Sequence, residues 1–336
     1  MQPEQVAAYL QHQMPEAREI EVSQLWRIPG GASRETWSFD ATWREGKAPA
    51  KAGGFIIRRD PEASLLETER YVEFRVYQAL QGTGVPVPEV YWLETDPRWL
   101  ERPFFVMARL PGQASQQAVI SGALGDLDAI AQQKVEILAR IHNLDWSASG
   151  GLGLDFLGPP EGRERCAAME IERWEGILRQ QMLEPEPALE LALDWLLAHQ
   201  PIAQRVSLVH SDYRTGNFLV EGGRITGVLD WEMVHLGDPL EDVAWACLRQ
   251  WRWAGDGRIG GLLPREEFYR RYEEASGLNV DPPSVHFWEV LGNVKWAVIC
   301  LTAARSIVDG RSKDAIHAFV AHIKPEIEAE LLRLIA

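Results

Sequence analysis

LVHSDYRTGNFLVEGGRITGVLDWEMVHLGDPLEDVAW, residues 208–245, decides the fold of this 336-residue chain. It carries three landmarks in a fixed order. His210-Ser211-Asp212 comes first, with Asn217 five positions after the aspartate. Asp230 then closes the apolar run Gly227-Val228-Leu229, eighteen residues after Asp212. Gly237-Asp238-Pro239 follows, placing Asp238 to cap a helix from Leu240 with Pro239 at its first position. The apolar runs Leu208-Val209 and Phe218-Leu219 flank the first landmark, which suits a loop pinned by short strands. A carboxylate and a carboxamide on one loop, with a second carboxylate at a strand end, can accept a proton and hold a hard cation. An H-x-D alone, or an Asp after a strand alone, is most often a turn feature. The ordered set is what carries information.

Upstream, Thr36-Trp37-Ser38-Phe39 and Phe55-Ile56-Ile57-Arg58 read as strands, bounded by Gly30-Gly31 and Gly53-Gly54. Leu65 to Leu80 has helical spacing and stops at Gly82. Val85-Pro86-Val87-Pro88 is an extended connector, because residues before proline avoid the α region. Val90-Tyr91-Trp92 and Phe104-Phe105-Val106-Met107 add two strands, and Pro111-Gly112 breaks the chain. Residues 1–108 therefore read as a small β-rich lobe with one helix. Residues 109–336 read as a larger lobe, mostly helical. Its helices are expected at 126–143, 163–180, 187–199, 240–253, 265–276, 285–308 and 313–334. A β island at 207–209, 218–220 and 225–229 interrupts them. The fold class is α+β and bilobal.

H-x-D-x-x-x-x-N is the spacing of a kinase catalytic loop. The whole signature resembles the aminoglycoside phosphotransferase-like family of small-molecule kinases, whose fold is protein-kinase-like. The resemblance extends over nearly the whole chain. It implies an ATP-dependent transfer of the γ-phosphoryl group to a hydroxyl of a small molecule, with Mg²⁺ required and GTP as an alternative donor. It implies Asp212 as the catalytic carboxylate and Asn217 and Asp230 as metal ligands. Gly30, Gly31 and Ser33, in Gly30-Gly31-Ala32-Ser33-Arg34, match the short nucleotide loop, where small residues let amides approach phosphate. An ordinary hairpin turn is the plain alternative there. Arg58 stands where the family places a lysine for the phosphates, and a guanidinium can grip oxygens in a fork. Glu73 matches its helix partner, and Arg59 points to the opposite face of the strand. Met107 lies in the matching hinge strand, whose backbone would bond the adenine. Ser211 departs from the usual glycine. His210 and His142 match structural positions. The rival reading is a nucleotide-binding pseudokinase or interaction module without transfer, but Asp212, Asn217 and Asp230 are all present. A protein kinase is disfavoured by the missing G-x-G-x-x-G, DFG and APE motifs.

Composition agrees with a globular enzyme. Lys and Arg total 34 against 49 Asp and Glu, a net charge of −15, which disfavours general nucleic-acid binding. Cys166, Cys247 and Cys300 form no CxxC pair, so a disulfide framework is not expected and a reducing cytoplasm fits. Fourteen tryptophans predict extensive aromatic burial. No signal peptide is visible, and the apolar run from Trp296 to Ala304 reads as a buried helix too short to span a membrane. Trp245, Arg249 and Arg252 at i, i+4 and i+7 are expected on one helical face, with Trp251 and Trp253 beside them. Lys295, Trp296 and Arg305 add to it from a later helix. Such a face suits an anionic hydroxylated acceptor, such as a hydroxy acid or acyl thioester, rather than an aminoglycoside. The plain alternative is arginines paired with acidic neighbours.

Overall fold

The computed structural model describes residues 1–29, 34–46, 48–61, 70–252 and 257–336. Gly30, Gly31 and Ser33, the helix start at Leu65, and Trp253 lie outside the described residues. Packing divides the chain into two compact units, Met1–Gln78 with Pro88–Leu110, and Ala79–Val87 with Pro111–Ala336. The sequence places one boundary after residue 108. In the structure Arg140 donates to the Gly84 carbonyl and Val228 N–H to that of Pro86, which ties residues 79–87 to the second unit.

The first unit contains α1 (Pro3–Gln13), β1 (Ala17–Ile28), β2 (Glu35–Glu45), β3 (Lys51–Arg59), α2 (Arg70–Leu80), β4 (Val90–Glu94), the single-turn α3 (Pro97–Leu100) and β5 (Phe104–Ala108). The strands form one antiparallel sheet in the order β1-β2-β3-β5-β4. Alternation builds its core. Phe39 on β2 opposes Phe55 on β3 in register, and their rings stack at 5.3 Å. Tyr9 and Leu10 of α1, with Leu100 and Phe104, complete the apolar cluster. The sequence expects a single helix in this region; α1 and α3 are additional. Gly54 has a clear reason to lack a side chain. A Cβ there would lie 2.6 Å from the Arg109 guanidinium, which donates to Ser38 and Asp40.

The second unit contains α4 (Gln116–Ile120), α5 (Leu127–His142), α6 (Cys166–Gln181), α7 (Pro187–Ala198), β6 (Ser207–Val209), β7 (Phe218–Glu221), β8 (Arg224–Val228), β9 (His235–Gly237), α8 (Leu240–Cys247), α9 (Arg265–Ser276), α10 (Pro282–Val308), α11 (Ala315–His322) and α12 (Lys324–Ile335). The strands make two short antiparallel pairs, β6-β9 and β7-β8. Trp174, Trp231, Trp245 and Trp288 are among the largest fully buried side chains, the aromatic burial the composition predicts. α10 packs against α6, α7, α8, α11 and α12. At 27 residues it is long and apolar enough to cross a membrane by length and composition, unlike the short run read from the sequence, and most of it is buried inside the fold. The three cysteines are buried and unbridged, and burial pushes each thiol up to about 12.

Two helix expectations are corrected. The pattern at 240–253 gives a helix only to Cys247, because the Arg252 guanidinium folds back and donates to the Cys247 carbonyl at 3.0 and 2.6 Å. The run 313–334 is two helices, with Pro325 in the first turn of α12.

Candidate active site

β6 delivers the chain to His210, and the loop beyond it is fastened from below. Asp242, fully buried in the first turn of α8, accepts from the His210 N–H at 2.8 Å and the Ser211 N–H at 2.7 Å. His142 at the end of α5 reaches the same carboxylate at 3.1 Å, and Tyr272 holds its other ring nitrogen at 2.6 Å. Asp238 caps α8 as the sequence implies, accepting from Leu240 N–H at 2.9 Å and from Trp288 at 3.0 Å.

Ser211 occupies the left-handed region, φ 70°. That conformation costs a serine about 1–2 kcal/mol relative to the usual region, and suits the glycine expected there. Hydrogen bonds offset the strain: its N–H goes to Asp242 and its hydroxyl to Glu241 at 3.1 Å. His210 is fully buried, and burial holds its imidazole below the ordinary range against the pull of Asp242 and Asp212. The neutral ring accepts from Asp212 N–H at 3.2 Å through Nδ1, so Nε2 carries the proton and donates to the Leu229 carbonyl at 3.0 Å.

The Asp212 carboxylate is partly exposed and gripped on both oxygens. Trp245 Nε1 donates to Oδ1 at 2.8 Å, and Asn217 Nδ2 to Oδ2 at 2.6 Å. Arg214 Nε lies 3.2 and 3.3 Å from the two oxygens, its guanidinium stacked 5.1 Å over Trp251. Asn217 also donates to the Asp212 carbonyl at 2.9 Å, so its amide nitrogen is committed to the loop and its Oδ1 remains as an oxygen donor. Leu229 N–H donates to the Asn217 carbonyl at 2.9 Å, bringing the residue before Asp230 against the loop. Asp230 is itself left-handed, φ 64°, at the turn after β8. A carboxamide and a carboxylate oxygen are the donor chemistry a hard cation such as Mg²⁺ takes.

In the first unit, Arg58 on β3 meets Glu73 on α2 at 3.2 Å, both buried. Arg34 lies 3.8 Å from the same carboxylate and 3.3 Å from Asp60, a partner the sequence does not reveal. Arg59 takes the other face, with two nitrogens on Glu35 at 2.9 and 2.6 Å. Met107 is registered against Ile56 on one side and Val90 on the other. The sheet takes up the backbone here, and the next two N–H groups already donate to Glu89 and Gly54.

The acceptor face is also corrected. Only Trp245 lies on α8; Arg249 is in the following turn and Arg252 beyond it. Arg249 is largely exposed and 3.6 Å from Glu330, while Arg252 is 3.8 Å from Glu289. Both follow the plain alternative of pairing with acidic neighbours. Lys295 is fully buried, bonded to Glu241 and Ser211. Arg305 donates to the Gln180 carbonyl. The cation beside Asp212 is Arg214, which the sequence signals only by standing two positions after the aspartate.

Comparison with known proteins identifies the family. The mouse protein named acyl-CoA dehydrogenase family member 10 is 31% identical over 248 residues, covering 69% of this chain and 22% of that protein. The chain spans about a fifth to two fifths of the length of the first curated relatives it matches. A Ralstonia eutropha structure, provisionally named an aminoglycoside phosphotransferase, superposes with TM-score 0.72 at 23% identity over 99% of this chain and 98% of that one. The aminoglycoside phosphotransferase APH(4)-Ia, solved with ADP and hygromycin B, gives 0.60 at 19% identity over 98% and 97%. The family model described as the phosphotransferase enzyme family matches residues 27–288, well over half the sequence, and this chain belongs to that family.

Proposed function

We propose that this phosphotransferase moves the γ-phosphoryl group of ATP to a hydroxyl of a small molecule. The observation that carries the reading is the Asp212 carboxylate, held on both oxygens by Trp245 and Asn217 in a loop that adjoins Asp230. Asp212 accepts the proton of the attacking hydroxyl and orients it. Asn217 Oδ1 and Asp230 hold Mg²⁺, which neutralises charge on the phosphates. Arg58, braced by Glu73, takes phosphate oxygens in place of the usual lysine. The transition state is loose and highly charged, so positioning and electrostatics supply most of the rate.

The acceptor class is anionic or neutral rather than polycationic. An aminoglycoside needs carboxylates to meet its ammonium groups, whereas this chain sets the Arg214 guanidinium beside the base. The name of its mouse relative points the same way, toward acyl thioesters, and a hydroxyacyl thioester or hydroxy acid fits. The test is an ATP-consumption screen with Mg²⁺ against hydroxylated carboxylates, hydroxyacyl thioesters and kanamycin-type amines. Turnover of the anions supports the reading, and turnover of the amines alone overturns the acceptor class. A thermal-shift titration with ATP and GTP comes first. Nucleotide at 100 times its dissociation constant adds about 2.7 kcal/mol, and a flat response to both removes the nucleotide from the assignment. Nucleotide binding with no turnover of any acceptor would favour the pseudokinase alternative.

A further inference from the structure

Behind the Asp212 loop lies a group of buried charges that the proposed reaction does not use. Glu170, His235 and Glu241 bring one ligand atom each within 4.8 Å of one another, as a metal site would. Every member already has a partner. His235 Nε2 lies 3.0 Å from Glu241 and 3.7 Å from Glu170, and Trp174 donates to Glu170 at 3.1 Å. Lys295 from α10 completes the set, donating to Glu241 Oε1 at 2.5 Å and to Ser211 Oγ at 2.6 Å. Two glutamates face a lysine and a histidine, and the partly exposed Arg173 lies 3.4 Å from Glu170 at the edge of the group. Burial alone would disfavour the charged histidine, but Glu170 and Glu241 outweigh it and hold the imidazole above its ordinary range. The group is an ion-pair network, not a metal centre.

Its position gives it a task. Ser211 immediately precedes Asp212, and Lys295 holds its hydroxyl. The Lys295 ammonium also lies 4.8 Å from the Trp245 ring centroid, and that indole donates to Asp212 Oδ1. One fully buried cation thus touches both the residue before the base and the donor that aims the base. A glycine at 211 would offer it nothing on the loop side.

We propose that Lys295 is a positioning residue for Asp212, acting through Ser211 Oγ on the loop and through the Trp245 ring on the carboxylate. Glu241, His235 and Glu170 hold the lysine in place. The proposal rests on the reading of Asp212 as the base, and the experiment separates the two.

The chain is labelled with ¹⁵N, and the Trp245 indole resonance is assigned by its loss in Trp245→Phe. In Asp212→Asn this resonance moves upfield as the charged acceptor is lost. In Lys295→Met it moves in the same direction, by a large part of that displacement, and an unmoved resonance overturns the proposal. Acceptor-independent hydrolysis of Mg-ATP, with water as the phosphoryl acceptor, is measured in parallel. In Lys295→Met its kcat falls about 10- to 100-fold, while KM for ATP changes by less than about twofold. A purely stabilising lysine would lower the unfolding midpoint and leave both readouts unmoved in the folded protein. Ser211→Gly suits φ 70° and cuts only the loop route, so it gives a smaller loss. The Lys295→Met, Ser211→Gly double variant falls no further than Lys295→Met alone, and additive losses overturn the shared route. If Lys295→Met does not fold, Lys295→Met with Glu241→Gln removes the cation without leaving a lone buried carboxylate, and the indole readout applies unchanged. If the unmodified chain hydrolyses no ATP, the catalytic reading suffers, and the indole resonance still decides the role of Lys295.

Discussion

Lys134 on α5 and Lys295 on α10 are exposed by 2% and 0%, and both lie against aromatic rings beside the Asp212 loop. Their surroundings differ in one respect. Lys295 donates to Glu241 and Ser211. Lys134 has only the faces of Tyr213 and Phe218, at 5.8 and 5.5 Å, and its Nζ has no hydrogen-bond partner among the described residues. Burial takes the Lys134 ammonium down to about 8, with Cys247 a weak opposing influence. Glu241, by contrast, is held well below the usual carboxylate range; its burial acts the other way, and Lys295 and His235 outweigh it. A buried cation is therefore not one kind of feature. With acceptors it fixes a geometry, and without them it is a standing cost that the rings only partly offset.

The largest expected effect belongs to Asp212, in the loop beside which both lysines are buried. Asp212→Asn lowers phosphoryl transfer about 10²- to 10⁴-fold while Mg-ATP affinity, measured by calorimetry, stays near that of the unmodified chain. Asp230→Ala weakens Mg-ATP binding itself. Equal losses of affinity in the two variants would dissolve this division of labour.

Next is the paired lysine. Lys295→Met leaves Glu241 buried without its cation, and urea unfolding should show a loss of about 3–5 kcal/mol. A loss below 1 kcal/mol would mean that Lys295 and Lys134 are equivalent after all.

The unpaired lysine gives the opposite sign. Lys134→Met keeps the apolar stem against Tyr213 and Phe218 and removes the buried charge, a gain of about 1–3 kcal/mol at pH 7. The pH dependence has a definite direction. The folded group releases its proton near 8 and the unfolded one near 10.4, so the unfolded state binds more protons in that window. Stability of the unmodified chain rises as pH climbs from about 8 to 10.4, and the contribution from this residue vanishes in Lys134→Met. An identical slope in both chains would refute the account.

The smallest effect is the control. Lys51 and Glu45 form an ion pair at 2.7 Å, each about half exposed. Glu45→Gln leaves the unfolding midpoint unchanged within error, since water screens such a pair.

Much of the candidate site was legible because its residues are close in sequence. Asp212 and Asn217 sit on one loop, and Asp230 ends a readable apolar run. The Arg58–Glu73 pair followed from the family resemblance and is formed in the structure. What escaped was everything joined through space. Asp242 clamps two N–H groups some thirty positions upstream, and Trp245 donates across 33 residues. No periodicity encodes either. The failed acceptor face has a local cause: Arg249 and Arg252 were placed by a helical period that ends at Cys247, where the Arg252 side chain competes for the carbonyl. The two lysines show the same limit. Each reads as a polar residue on an apolar helix, and only the neighbours distinguish a paired cation from an orphaned one.

His210 acts as a gauge. Its ring bridges the Asp212 amide and the Leu229 carbonyl and is bonded to both. Those two groups belong to the Asp212 loop and to the residue before Asp230. The width of one imidazole therefore sets how far apart the backbones leading to the Asp212 and Asp230 carboxylates are anchored. A longer or shorter amide at 210 could keep one of the two bonds but not both, and the spacing would drift with whichever bond was lost. The histidine works here as a ruler cut to length, and it spans both ends only as the neutral ring with its proton on Nε2.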